Sequence, residues 1–135
     1  MTPSWYRARA YQIVTLAIAF IVIWSAPGVA MSVNFSWAGH PSCSSSSPAF
    51  TVSDVPKETV RLTFKMIDKN VPNYPHGGGT IAYEGKNDIP SGAFTYTGPC
   101  PPAGQQHAYE WTVRALDANG KVLASAVSIG KFPPQ

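Results

Sequence analysis

Charge is scarce in this chain. Asp, Glu, Lys and Arg make up 13% of its 135 residues, about half the share of an ordinary soluble domain. No two basic residues are adjacent, so the clustered basic face of a nucleic-acid binder is missing. No Gly-x-Ser-x-Gly elbow and no His-Glu-x-x-His pair occurs, which removes the usual serine-hydrolase and zinc-peptidase signatures. No repeat, heptad or long amphipathic helical pattern is present, which excludes solenoids and coiled coils. Only two cysteines occur, Cys43 and Cys100. Neither has a close partner at metal-ligand spacing.

The one long uncharged stretch is at the start. Arg7 and Arg9 precede the apolar run Ile13 to Trp24, and Ser25-Ala26-Pro27-Gly28-Val29-Ala30 follows with a breaker and small residues. This is the order of a secretory signal peptide. The run is short for a membrane span, which needs roughly 20 apolar residues. No charge falls between Arg9 and Asp54, so an uncleaved anchor over residues 10–30 is the competing reading. Both readings divide the chain into a leader, 1–30, and one domain, 31–135. Both export the domain to the periplasm or the cell exterior, with membrane contact only through the leader. Without the leader, eight Lys and Arg face seven Asp and Glu. The whole-chain pI of 9.0 therefore says little about the domain. In an exported domain an even cysteine count favours a Cys43–Cys100 disulfide.

The domain reads as all-β. Val33, Phe35 and Trp37 alternate with polar residues, as in a half-buried strand. Ala49 to Ser53 is a brief strand and Thr59 to Ile67 the clearest one, with Val60, Leu62, Phe64 and Met66 on one face. Further strands are expected at Thr80 to Tyr83, Ala93 to Thr97 and His107 to Leu116. Gly85 to Gly92 reads as a turn. In the long strand, His107, Tyr109, Trp111, Val113 and Ala115 share a face. Asp117 to Gly120 is a hairpin turn, and Lys121 to Ile129 the returning strand. The alanine-rich Val122 to Ser128 also admits a short helix. Closely spaced turns fit an antiparallel sandwich.

Three polar residues are the candidates for chemistry. Asp68 stops the clearest strand, His76 opens a triple glycine, and His107 opens the aromatic strand. The glycines permit positive φ, so their N–H groups are candidates for an anion-cradling nest. Imidazoles donate to phosphate or carboxylate, and a carboxylate fixes a histidine tautomer. Plain alternatives stand beside these. An Asp after a strand is commonly a turn former, and glycines often mark a bulge. Two histidines and an Asp also suggest acid–base or metal hydrolysis, but no local spacing supports it.

Several segments carry a resemblance. They are Ser47-Pro48-Ala49-Phe50, Met66-Ile67-Asp68-Lys69-Asn70-Val71-Pro72, His76, Gly98-Pro99-Cys100-Pro101-Pro102, and His107-Ala108-Tyr109 with Ala115-Leu116-Asp117. From Pro41 to Pro133 the chain resembles the phosphatidylethanolamine-binding protein family, in its bacterial Raf-kinase-inhibitor-like branch. The resemblance implies an antiparallel β-sandwich with little helix. It implies a small pocket for phosphate-like anions or phospholipid head groups, formed by Asp68, His76, Pro101, Pro102, His107 and Tyr109. With no catalytic or zinc-binding signature in the chain, no enzyme activity, no cofactor and no metal are expected. The alternative function that the resemblance carries is that of an inhibitor or interaction module docking a protein partner in the envelope or outside the cell. A hydrolase is the remaining reading. Three departures are visible. Lys69 and Asn70 replace the family's Pro and second Asp, and Ala108 stands where an arginine is common.

Overall fold

A computed structural model of the chain describes Met1 and residues 28–135. The leader, for which the sequence predicts an N-terminal hydrophobic helix, lies almost wholly outside these residues. Among the described residues, seven strands form two antiparallel sheets. The smaller joins β1 (Ser32–Phe35), β2 (Phe50–Ser53) and β5 (Asp88–Ile89) in the order β1-β2-β5. The larger joins β3 (Arg61–Asp68), β4 (Gly78–Ala82), β6 (His107–Leu116) and β7 (Val122–Phe132) in the order β4-β3-β6-β7. No helix occurs among the described residues.

Alternation builds the core. Leu62, Phe64 and Met66 of β3 point inward, as do Tyr109, Trp111, Val113 and Ala115 of β6. They meet Val33, Phe50 and Val52 of the smaller sheet in one apolar cluster. Trp111 is at its centre, fully buried. Its ring takes the edge of Phe50 at 5.1 Å and packs on Tyr96 at 5.1 Å and Phe94 at 5.8 Å. Edge-to-face pairs of this kind favour the aromatic quadrupole and add to the burial term.

The returning strand expected over Lys121 to Ile129 is present as β7, and the short helix that Val122 to Ser128 also admitted is not. Alanine favours helix only weakly, and Ala124 and Ala126 here pair with Ala115 and Val113 of β6. Ala93 to Thr97 forms no strand and makes only an isolated bridge, Thr95 to Ser46. The Gly85 to Gly92 turn holds the short strand β5. Gly78 and Gly79 open β4 rather than forming a nest with Gly77. A Cβ at Gly79 would strike the Phe94 ring, and one at Gly78 the carbonyl oxygen of Phe64. These glycines allow close approach within the sandwich.

Cys43 and Cys100 are joined, across 57 positions of sequence. The bond ties the loop after Trp37 to the proline-rich loop before β6. The N–H of Cys43 donates to the Pro99 carbonyl oxygen at 2.8 Å beside it. Closing a loop of this length stabilises the folded state by about 4 kcal/mol in the chain-entropy treatment. Reduction, or Cys43→Ala with Cys100→Ala, is expected to lower the thermal midpoint by roughly 10 °C or more. Calorimetry checks this, and an unchanged midpoint would refute a stapling role.

Candidate functional site

The ends of β3 and β6 meet by register. Asp68, the last residue of β3, pairs with Tyr109 of β6. One end of the larger sheet therefore carries Asp68, His107 and Tyr109 together. The alternation that buries Trp111 also turns His107 and Tyr109 inward, and both are buried. A buried polar group needs a partner, and Asp68 supplies it. The Nδ1–H of His107 donates to Asp68 Oδ2 at 2.7 Å.

The other carboxylate oxygen orders the next loop. Oδ1 of Asp68 accepts from the N–H groups of Asn70, at 2.8 Å, and Val71, at 3.1 Å. This is an Asx-type turn, so the plain turn-former reading and the functional reading of Asp68 hold together. The turn is pinned to β6 twice. The Lys69 N–H donates to the Ala108 carbonyl at 2.8 Å, and the Ala108 N–H donates to Asn70 Oδ1 at 2.9 Å. Burial alone would raise the Asp68 carboxyl. The hydrogen bond from His107, the two backbone donors and the imidazole's charge outweigh it, holding the carboxyl below the usual 3.8. Asp68 is thus an anion that only accepts, and it fixes the proton of His107 on Nδ1.

His76 is fixed in the same way by a different group. Its Nδ1 lies 2.6 Å from the Thr97 carbonyl oxygen, which can only accept. The Thr97 N–H returns a bond to the His76 carbonyl at 2.9 Å. Both histidines therefore carry their buried proton on Nδ1 and present Nε2 for other use. The His76 ring packs between Tyr74, at 4.8 Å, and the edge of Tyr109, at 5.5 Å. Burial first, and then the Asp68 charge, push the Tyr109 phenol up. It stays a neutral O–H at ordinary pH.

All six residues expected from the sequence, Asp68, His76, Pro101, Pro102, His107 and Tyr109, line a single cavity of about 270 Å³. Val71, Tyr74 and Cys100 complete it. The last of these makes the disulfide part of the wall. Sequence reasoning missed Val71 and Tyr74, which lie on the loop that Asp68 orders. It also missed Thr97, which orients His76, and Gln105, whose Oε1 lies 3.1 Å from His107 Nε2. The one signal for Gln105 was its place two residues before the histidine, just after Gly104. Among the described residues no Lys or Arg lines the cavity. Lys69 instead pairs with Glu110 at 2.9 Å. Among the described residues no three His, Cys, Asp or Glu side chains are grouped to hold a metal ion.

Two antiparallel sheets with a small, polar-floored cavity where β3 and β6 end define a ligand-pocket sandwich. The profile of the family described as phosphatidylethanolamine-binding protein matches residues 76–132, which span His76 and all of β6 and β7. The fold is similar to a putative phosphatidylethanolamine-binding protein homologue, CT736, from Chlamydia trachomatis. That likeness has a TM-score of 0.59 and 20% identity, over 78% of this chain and 99% of the other. It is also similar to YbcL of E. coli, described as a new member of the mammalian PEBP family. Here the TM-score is 0.61 and the identity 16%, over 79% of this chain and 100% of the other. No curated protein matches the chain in sequence. From His76 to Phe132 the chain is similar to the phosphatidylethanolamine-binding protein family, and its fold is that of the two homologues.

Asp68 also gives a pH prediction. Its carboxyl is lower in the folded state than in the unfolded chain, so its contribution is complete above about pH 4 and fades as the pH falls further. The stability gap between the parent and Asp68→Asn is expected to narrow on acidification through that range. Urea melts at a series of pH values measure it, and a gap independent of pH would contradict the assignment.

Proposed function

We propose that the protein is an exported ligand-binding protein whose cavity takes phosphate-like anions, either free or as the head group of a phospholipid. The observation that carries this reading is the pair of imidazoles fixed by Nδ1 acceptors in one small cavity. A protonated ring held this way donates from Nε2, and a phosphate oxygen is the acceptor such a donor suits. The size agrees. About 270 Å³ falls just under the roughly 300–1,000 Å³ of sites that enclose drug-sized ligands. A head group fits that space better than a lipid tail does. Pro101 and Pro102 form a stiff wall, which reduces the ordering cost of binding. Tyr109 offers a neutral hydroxyl that can donate to a second oxygen.

With no Lys or Arg among the described residues lining the cavity, imidazole N–H groups rather than a fixed cation hold the anion. We read the site as binding rather than catalytic. No serine or threonine hydroxyl lines the cavity beside an imidazole, and Cys100 is held in the disulfide. Export is supported by that disulfide, which persists in oxidising compartments, and by the leader pattern.

A thermal-shift titration of the oxidised protein with phosphate and phosphorylethanolamine tests the reading, since a ligand of the folded state raises the midpoint. His76→Ala and His107→Ala are each expected to weaken phosphate binding roughly tenfold or more, the scale of a hydrogen bond to a charged group. A stronger response to phosphorylethanolamine than to phosphate would identify a head-group site. Equal binding by the parent and both variants would refute it.

A further inference from the structure

His107 has no free nitrogen. Nδ1–H is held by Asp68, and Nε2 lies 3.1 Å from Gln105 Oε1. An anion in the cavity therefore finds the Nε2 of His76 open and that of His107 already engaged. Gln105 comes from a rigid place. Its N–H donates to the Pro102 carbonyl at 3.0 Å, and Gly104 between them has φ +78°. This is a tight turn that glycine at that position permits. The turn continues the proline wall and delivers the side chain two residues ahead of the ring. Gln105 is itself exposed, so its amide can swing into water and stay hydrated without disturbing the core.

An amide suits this position in both protonation states of the ring. Its oxygen accepts from a protonated Nε2, and its NH₂ group donates to a neutral one. A phosphate oxygen can only accept. It competes with the amide on the protonated ring, where its charge gives the stronger bond. A neutral hydroxyl ligand has no such advantage over the amide.

We propose that Gln105 is an internal competitor for the ligand of this cavity. Its amide occupies Nε2 of His107 until a charged acceptor displaces it, so Gln105 sets the affinity of the site. The inference rests on the anion-pocket reading above. Gln105 thus tunes the site by leaving.

The test is isothermal titration of the oxidised full chain with inorganic phosphate and, separately, with glycerol, on the parent, Gln105→Ala and Gln105→Asn. Gln105→Ala is expected to bind phosphate about 2- to 10-fold more tightly, the value of one net hydrogen bond. Glycerol, which carries no charge, should bind far more weakly than phosphate to all three proteins. Gln105→Asn, one methylene shorter, withdraws the amide and should follow the alanine variant. Damage to a structural residue would weaken binding, so a gain is not its signature. Phosphate binding by Gln105→Ala alone would support the proposal most strongly. Equal or weaker phosphate binding by Gln105→Ala, in a protein whose parent binds phosphate, would overturn the proposal and leave the pocket reading intact. Absence of phosphate binding in every protein would overturn the pocket reading and this inference with it.

Discussion

The hydrogen bond from His107 to Asp68 is the constraint around which the site end of the molecule is arranged. It joins two charged-capable groups that are both more than nine-tenths buried, and it exists only because β3 ends where β6 begins. Breaking a buried pair from one side leaves an uncompensated group and costs about 3–5 kcal/mol. That cost fixes the register of two central strands at their functional end. The second oxygen of the same carboxylate then orders the loop that supplies Val71 and leads to Tyr74. One side chain thus positions a ring, a loop and the floor of a cavity.

The remaining walls are held by independent means. His76 is fixed through main-chain atoms of Thr97, and the proline loop is tied back by Cys43–Cys100. The site therefore draws on separate segments, each anchored to the sandwich at a different point. The departures from the family pattern fit this frame. Asn70 supplies the side-chain oxygen that accepts from Ala108, so the loop keeps its tie to β6 without a second carboxylate. Lys69 is engaged with Glu110. No Lys or Arg among the described residues lines the cavity.

Much of this architecture was legible in the residues. Period-two alternation in Arg61–Asp68 and His107–Leu116 gives both the inward faces and the place where they end. Short-range pattern was ambiguous where pairing or close packing decides. Val122–Ser128 admitted strand or helix by composition, and pairing with β6 makes it strand. Gly77 to Gly79 suggested an anion nest, but the close approach of Phe64 to Gly78 and of Phe94 to Gly79 accompanies their place in β4. The six site residues were found through family resemblance more than through spacing, since Asp68 and His107 lie 39 positions apart and meet only through strand register. Gln105, Tyr74 and Thr97 carry no motif. Their roles depend on loop geometry that no local pattern encodes.

The most direct measurement is the tautomer of each imidazole, read from two-bond nitrogen–proton NMR correlations of the oxidised protein near neutral pH. The account predicts that His76 and His107 both carry the proton on Nδ1, with Nε2 the nitrogen that responds to addition of phosphate. A His107 ring protonated on Nε2 with a bare Nδ1 would contradict the Asp68 anchor. The arrangement of the cavity derived from that anchor would fall with it.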